Sequence, residues 1–162
     1  MRIGDILVER GLISDEQREQ ILEAQRTDSS PFGKLAEMMF GVAPEAVEEA
    51  WADQYEAIAE HVDPRQYRPV DELLRVIDRR QAWQFGLLPI RREPHEVTIC
   101  TTRGHLIRAV RYVGWKFAQP CVLVLAEPGH LGVALQRNYP LEGMTPETAN
   151  FLDMREHPRL VG

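Results

Sequence analysis

The chain opens with apolar residues at helical spacing. Ile3, Ile6 and Leu7 fall on one face, with Val8 beside them. Gly11 stands where that short helix must stop, because a left-handed residue is cheap only for glycine. Ser14 then reads as an N-cap, with Gln17 completing a capping box. A longer helix is predicted from Asp15 to about Thr27, with Asp15 and Glu16 at its positive end and Arg26 at its negative end. After a turn over Thr27–Pro31 the pattern restarts: a short apolar helix from Phe32, a glycine at Gly41, Pro44 at a first helical position, and a longer helix carrying Val47, Ala50, Trp51, Tyr55 and Ile58 on one face. Gly4 to Gly33 and Gln25 to Gln54 share an offset of 29 residues, whereas Gly11 to Gly41 is 30. The two copies are therefore a degenerate internal repeat with a one-residue slip. Trp51 is expected to anchor the core of the second copy.

From Pro64 the periodicity changes. Short helices are predicted over 72–77 and 78–85, the second stopping at Gly86. Leu87–Arg91 reads as a strand in which Pro89 argues for an edge position or a strand start. Val97, Ile99 and Thr101 alternate with Glu96, Thr98 and Cys100, which predicts a strand with one apolar face. A helix over 104–117 presents Leu106, Val110, Val113 and Phe117. Cys121–Ala126 is a continuous apolar run, predicting a strand buried on both sides, and a last full helix covers 128–138. A short helix is expected over 144–153, with Thr145 as its cap. The expected fold is α+β: an N-terminal helical bundle of two degenerate helix-turn-helix repeats, packed on a small three-stranded sheet with helices. Its segments are a repeat subdomain over 1–62, a small α/β subdomain over 63–140 and a tail over 141–162.

The opening pattern resembles the N-terminal domain of type II secretion and type IV pilus assembly ATPases, the protein E family. The residues that carry it are Arg2-Ile3-Gly4, the aliphatic pair Ile6-Leu7, Gly11-Leu12-Ile13-Ser14 and a helix ending in Gln25. The segments Gly86–Thr102 and Cys121–Tyr139 are similar to that family's small α/β unit. The resemblance implies that ATPase chemistry belongs to a separate domain. That domain would need a G-x-x-x-x-G-K-[ST] loop, and Gly33-Lys34 lacks both the earlier glycine and the following hydroxyl. The chain is therefore expected to be a non-enzymatic domain without the ATPase apparatus.

Two roles follow from the resemblance. The first is an adaptor or regulatory domain that docks on a protein of a secretion or pilus machine, such as an inner-membrane platform component or a separate ATPase. The second is a receptor for cyclic di-GMP, which some pilus ATPases of this family bind through two tandem copies of the repeat. The resemblance carries that site onto Arg2, Gly4, Asp5, Leu7 and Gly11 of the first copy and Gly33 of the second. An arginine can stack on guanine or pair with phosphate, and glycine lets backbone N–H groups approach an anion. The second copy departs from the pattern: Pro31 replaces the arginine, Ala36 and Glu37 stand where aliphatics belong, and Arg18 replaces a usual leucine in the first long helix.

Composition narrows the remaining classes. The net charge of −6 is uneven: residues 1–64 hold 5 Lys/Arg against 15 Asp/Glu, and residues 65–116 hold 11 against 5. The acidic half disfavours nucleic acid, and the arginines of the middle segment are dispersed. Five histidines without paired spacing and no C-x-x-C predict no metal. Cys100 and Cys121 are expected to be reduced thiols, with Cys121 and His130 the weakest of the enzyme hypotheses. No apolar run is long enough for a membrane span and no leader pattern is visible, so a cytoplasmic location is expected.

Overall fold

The computed structural model describes residues 2–148, and the chain parts into two compact units between Ile58 and Ala59. The first unit is helical: α1 (Ile3–Glu9), α2 (Asp15–Ala24), α3 (Phe32–Phe40) and α4 (Pro44–Ile58). The repeat read from the sequence is its architecture, each copy being a short helix, a left-handed glycine and a longer helix. Gly11 has φ +69° and Gly41 φ +66°. Behind α1, the Leu12 N–H reaches the Leu7 carbonyl at 2.9 Å and the Gly11 N–H reaches that of Val8, so the last carbonyls are satisfied without water. The Ser14 hydroxyl accepts the Gln17 N–H at 3.0 Å, and the Gln17 side chain accepts the Ser14 N–H at 2.9 Å.

The core of this unit is Ile6, Leu7, Ile13 and Ile21 of the first copy against Leu35, Ala36, Val42 and Ala50 of the second. Each fully buried Ile or Leu contributes roughly 1.5–3 kcal/mol. Two glycines set how closely the helices approach. A Cβ on Gly4 would lie 2.9 Å from the Phe32 ring, and one on Gly33 would overlap Val47 and lie 3.7 Å from Ile3. Arg10 forms an ion pair with Asp53, tying the end of α1 to α4. The apolar face expected on α4 is only partly used. Ala50 and Ala52 are buried, Trp51 is half-buried with its ring tilted against Tyr55 at 5.5 Å, and Ile58 is 77% exposed. The buried positions of α4 are these small alanines, so Trp51 is not the core anchor it was expected to be.

The second unit holds a 3-10 turn (Pro64–Gln66), α5 (Asp71–Leu74), α6 (Arg79–Phe85), β1 (Leu88–Arg92), β2 (Val97–Thr101), α7 (Leu106–Lys116), β3 (Cys121–Leu125) and α8 (Pro128–Asn138). The strand order is β1-β2-β3. β1 runs antiparallel to β2, with a register shift between Pro89 and Arg91, and β3 runs parallel to β2 through the α7 crossover. Pro89 thus lies on an edge strand, as its missing N–H requires.

Burial of the other two strands is the reverse of the expectation. All five residues of β2 are buried because it is the central strand, and Thr98 and Thr101 are covered along with Val97 and Ile99. β3 lies at the other edge: Val122 is 38% exposed, and only Leu123–Leu125 are buried. The end of β3 is covered by the incoming chain, where Leu125 N–H donates to the Glu60 carbonyl and Val62 N–H donates to that of Leu125, both at 2.9 Å. This pairing assigns residues 60–62 to the second unit, so the break falls a few residues before the expected 62/63. On α7 the inward face is Leu106, Ala109, Tyr112 and Val113, while Val110 is exposed.

Tyr139 closes this unit. Its hydroxyl donates to the Leu74 carbonyl at 2.5 Å, and its own carbonyl accepts the buried Trp83 indole N–H at 2.8 Å. The Thr145 hydroxyl accepts the Thr148 N–H at 3.3 Å, as a cap would, and residues 149–153 of the helix expected over 144–153 lie outside the described residues. Among the described residues no helix is long and apolar enough to cross a membrane.

The glycine approach yields a stability test. Gly33→Ala should lower the stability of the helical unit by about 1–2 kcal/mol through overlap with Val47. The same change in a Val47→Ala background should cost almost nothing. Thermal denaturation of the four-member cycle checks this, and equal losses in both backgrounds would remove the packing role.

Candidate ligand pocket of the helical unit

The first turn of α1 and the helices around it enclose an open pocket of about 510 Å³. Arg2, Ile3, Gly4 and Asp5 line it from α1, Arg18, Glu19, Leu22 and Gln25 from α2 and its end, Phe32 from α3 and Gln54 from α4. Its volume falls in the range of small-molecule sites.

Three of the six residues implied by the resemblance meet here: Arg2, Gly4 and Asp5. Leu7 does not, because it is fully buried in the core. Gly11 makes the helix stop, with open space where its side chain would be, and Gly33 is buried beneath Val47. Two residues that the spacing had already matched across the copies, Gln25 and Gln54, both reach the pocket, as do Ile3 and Phe32 at the same offset of 29. The pocket therefore presents like positions of the two repeats.

Its electrostatics are closed in on themselves. Asp5 accepts the Arg2 backbone N–H at 3.2 Å and the Arg18 Nη1 at 2.9 Å. Arg18 also meets Asp15 at 3.1 Å and Glu19 at 3.8 Å. The charged lining, Arg2 and Arg18 against Asp5 and Glu19, sums to zero. The Phe32 ring packs against Gly4 on the side where a Cβ would stand, 2.9 Å from it. Gln25 donates to the Ser30 carbonyl at 3.2 Å, which holds the turn between the copies.

Nothing comparable gathers around the thiols. Burial pushes the Cys100 thiol up to about 12 and raises that of Cys121 above its ordinary value. His130 faces Glu127 at 3.4 Å. No group of three or more metal-ligating side chains is found among the described residues. Raised pKa values leave little thiolate at neutral pH. Alkylation by iodoacetamide at pH 7 should thus be slow at Cys121 and should reach Cys100 only after unfolding. Rapid modification of either thiol in the native chain, followed by mass spectrometry, would contradict this.

A family model, the MshEN domain, matches residues 54–145, which takes in the sheet-bearing unit. Among solved structures, MshE with cdg is 21% identical over 86% of this chain and 99% of that one, with a TM-score of 0.48. The N-terminal domain of XpsE is 18% identical over 84% of this chain and 92% of that one, with a TM-score of 0.45. No curated protein matches. The family match extends over more than half of the chain: the chain belongs to the MshEN domain family, the N-terminal domains of type II secretion and type IV pilus ATPases.

Proposed function

We propose that this chain is a non-enzymatic regulatory domain of a type II secretion or type IV pilus machine, acting in the cytoplasm by docking on a protein of that machine. The observation that carries this reading is the self-neutralised pocket. A dianionic dinucleotide would meet Arg2 together with Asp5 and Glu19, while Arg18 is already held by carboxylates. Displacing those carboxylates returns as much charge repulsion as the arginine could offset. The acidic helical unit also exposes Met38 (68%) and Met39 on α3, adaptable side chains of the kind used at protein contacts. Titration calorimetry with the purified cytoplasmic domain of the inner-membrane platform protein from the same source should give a complex in roughly the micromolar range, weakened by salt. No heat at any accessible concentration would overturn the docking reading.

The second reading, a cyclic di-GMP receptor, is favoured by one observation: Gln25 with Gln54 and Ile3 with Phe32 line one pocket from matched positions, as a two-fold ligand would require. On the docking reading, cyclic di-GMP produces no heat up to about 100 μM. Micromolar binding that disappears in Arg2→Ala would install the receptor reading instead.

A further inference from the structure

Where α8 meets the 3-10 turn, the second unit gathers two arginines on one oxygen. Arg68 Nη1 donates to the Arg65 carbonyl at 2.7 Å, and Arg137 Nη1 donates to the same carbonyl at 2.8 Å. Bonds of 2.7 and 2.8 Å to a shared oxygen keep these two nitrogens within 5.5 Å of each other. Arg68 Nη1 is also fixed by the Tyr67 carbonyl at 3.0 Å. Arg137 stands in the last turn of α8, where the helix dipole favours a cation. All of these acceptors are neutral carbonyls. They orient the two guanidinium groups without discharging them, and the bonds leave Nε and Nη2 of each fork unspent. Both residues are exposed.

The other charges at this end are matched among themselves. Asp63 takes Arg65 on both oxygens, Nε at 2.9 Å and Nη2 at 2.8 Å. Glu127 faces His130 at 3.4 Å. Among the described residues no carboxylate pairs with Arg68 or Arg137. Two like charges this close repel unless an anion joins them.

We propose that Arg68 and Arg137 form a binding site for a phosphate group in its dianionic form. Two forks converging from different elements match a tetrahedral anion, whose oxygens each accept a charge-assisted bond. Charge decides against a single carboxylate, which would offset one arginine and leave the other. The phosphate can belong to a free phosphate ester or to a phosphorylated side chain, since arginine pairs meet both through the same oxygens. The site is separate from the pocket of the helical unit, with which it shares no residue.

The test is an NMR titration of the full isotopically labelled chain near neutral pH, read at the arginine Nε–Hε resonances. Inorganic phosphate replaces chloride at constant ionic strength. The Arg68 and Arg137 resonances should move together and saturate in roughly the millimolar range. Arg68→Gln and Arg137→Gln should each weaken binding about tenfold. Arg75→Gln, at an exposed arginine that ends α5, should leave it unchanged. Variant amide spectra that match wild type away from this end separate lost binding from lost fold. An end-blocked phosphoserine tripeptide is titrated in parallel, beside its glutamate counterpart. Tighter binding of the phosphoserine peptide than of inorganic phosphate supports the site and assigns it a phosphorylated segment. Binding no tighter than phosphate supports the site and assigns it a free ester. Shifts that never saturate, wild-type affinity in either glutamine variant of the pair, or a glutamate peptide that binds as tightly as the phosphoserine one would overturn the proposal.

Discussion

The helical unit depends on two places where a helix backbone meets a side chain with no Cβ between them. At Gly4 the Phe32 ring rests on α1, and at Gly33 Val47 rests on α3. Interiors are packed near crystal density, so a methyl group at either place must displace its neighbour. The glycine of each copy is thus committed to packing against the other parts of the unit. The same glycines are the positions to which resemblance assigned contact with a nucleotide.

Electrostatics carries the same consequence. Arg18, where a leucine is usual, faces Asp5, Asp15 and Glu19, and Asp5 also holds the first turn of α1 through the Arg2 N–H. Each exposed pair alone contributes little to stability. Together they fix the charge of the pocket at zero, which bears on what it accepts more than on whether the unit folds. Along the chain the charge reverses: residues 65–116 of the sheet-bearing unit hold 11 Lys/Arg against 5 Asp/Glu, where residues 1–64 hold 5 against 15.

Local chemistry was readable directly. The Ser14–Gln17 box, the left-handed Gly11 and Gly41 and the edge position of Pro89 each follow from one residue and its near neighbours. The offset of 29 found Gln25 and Gln54 before any geometry was known. What stayed hidden depended on position within the fold. Hydropathy counts apolar residues and does not order strands, so Thr98 is covered at the centre of the sheet while Val122 lies open at its edge. Trp51 has the size of an anchor, but the buried residues of α4 are Ala50 and Ala52. The Asp5–Arg18 pair joins residues 13 apart, and no periodicity links them. Nor does spacing show that α6 would bring Phe85 to Tyr112.

The most direct test is amide-resolved NMR of the isotopically labelled chain, recorded first with cyclic di-GMP and then with the platform domain. The account predicts that the dinucleotide leaves the amides of Gly4, Gln25 and Gln54 in place, and that the platform domain moves a contiguous set of amides elsewhere on the surface. Saturable shifts at Gly4, Gln25 and Gln54 with cyclic di-GMP, and none with the platform domain, would contradict it.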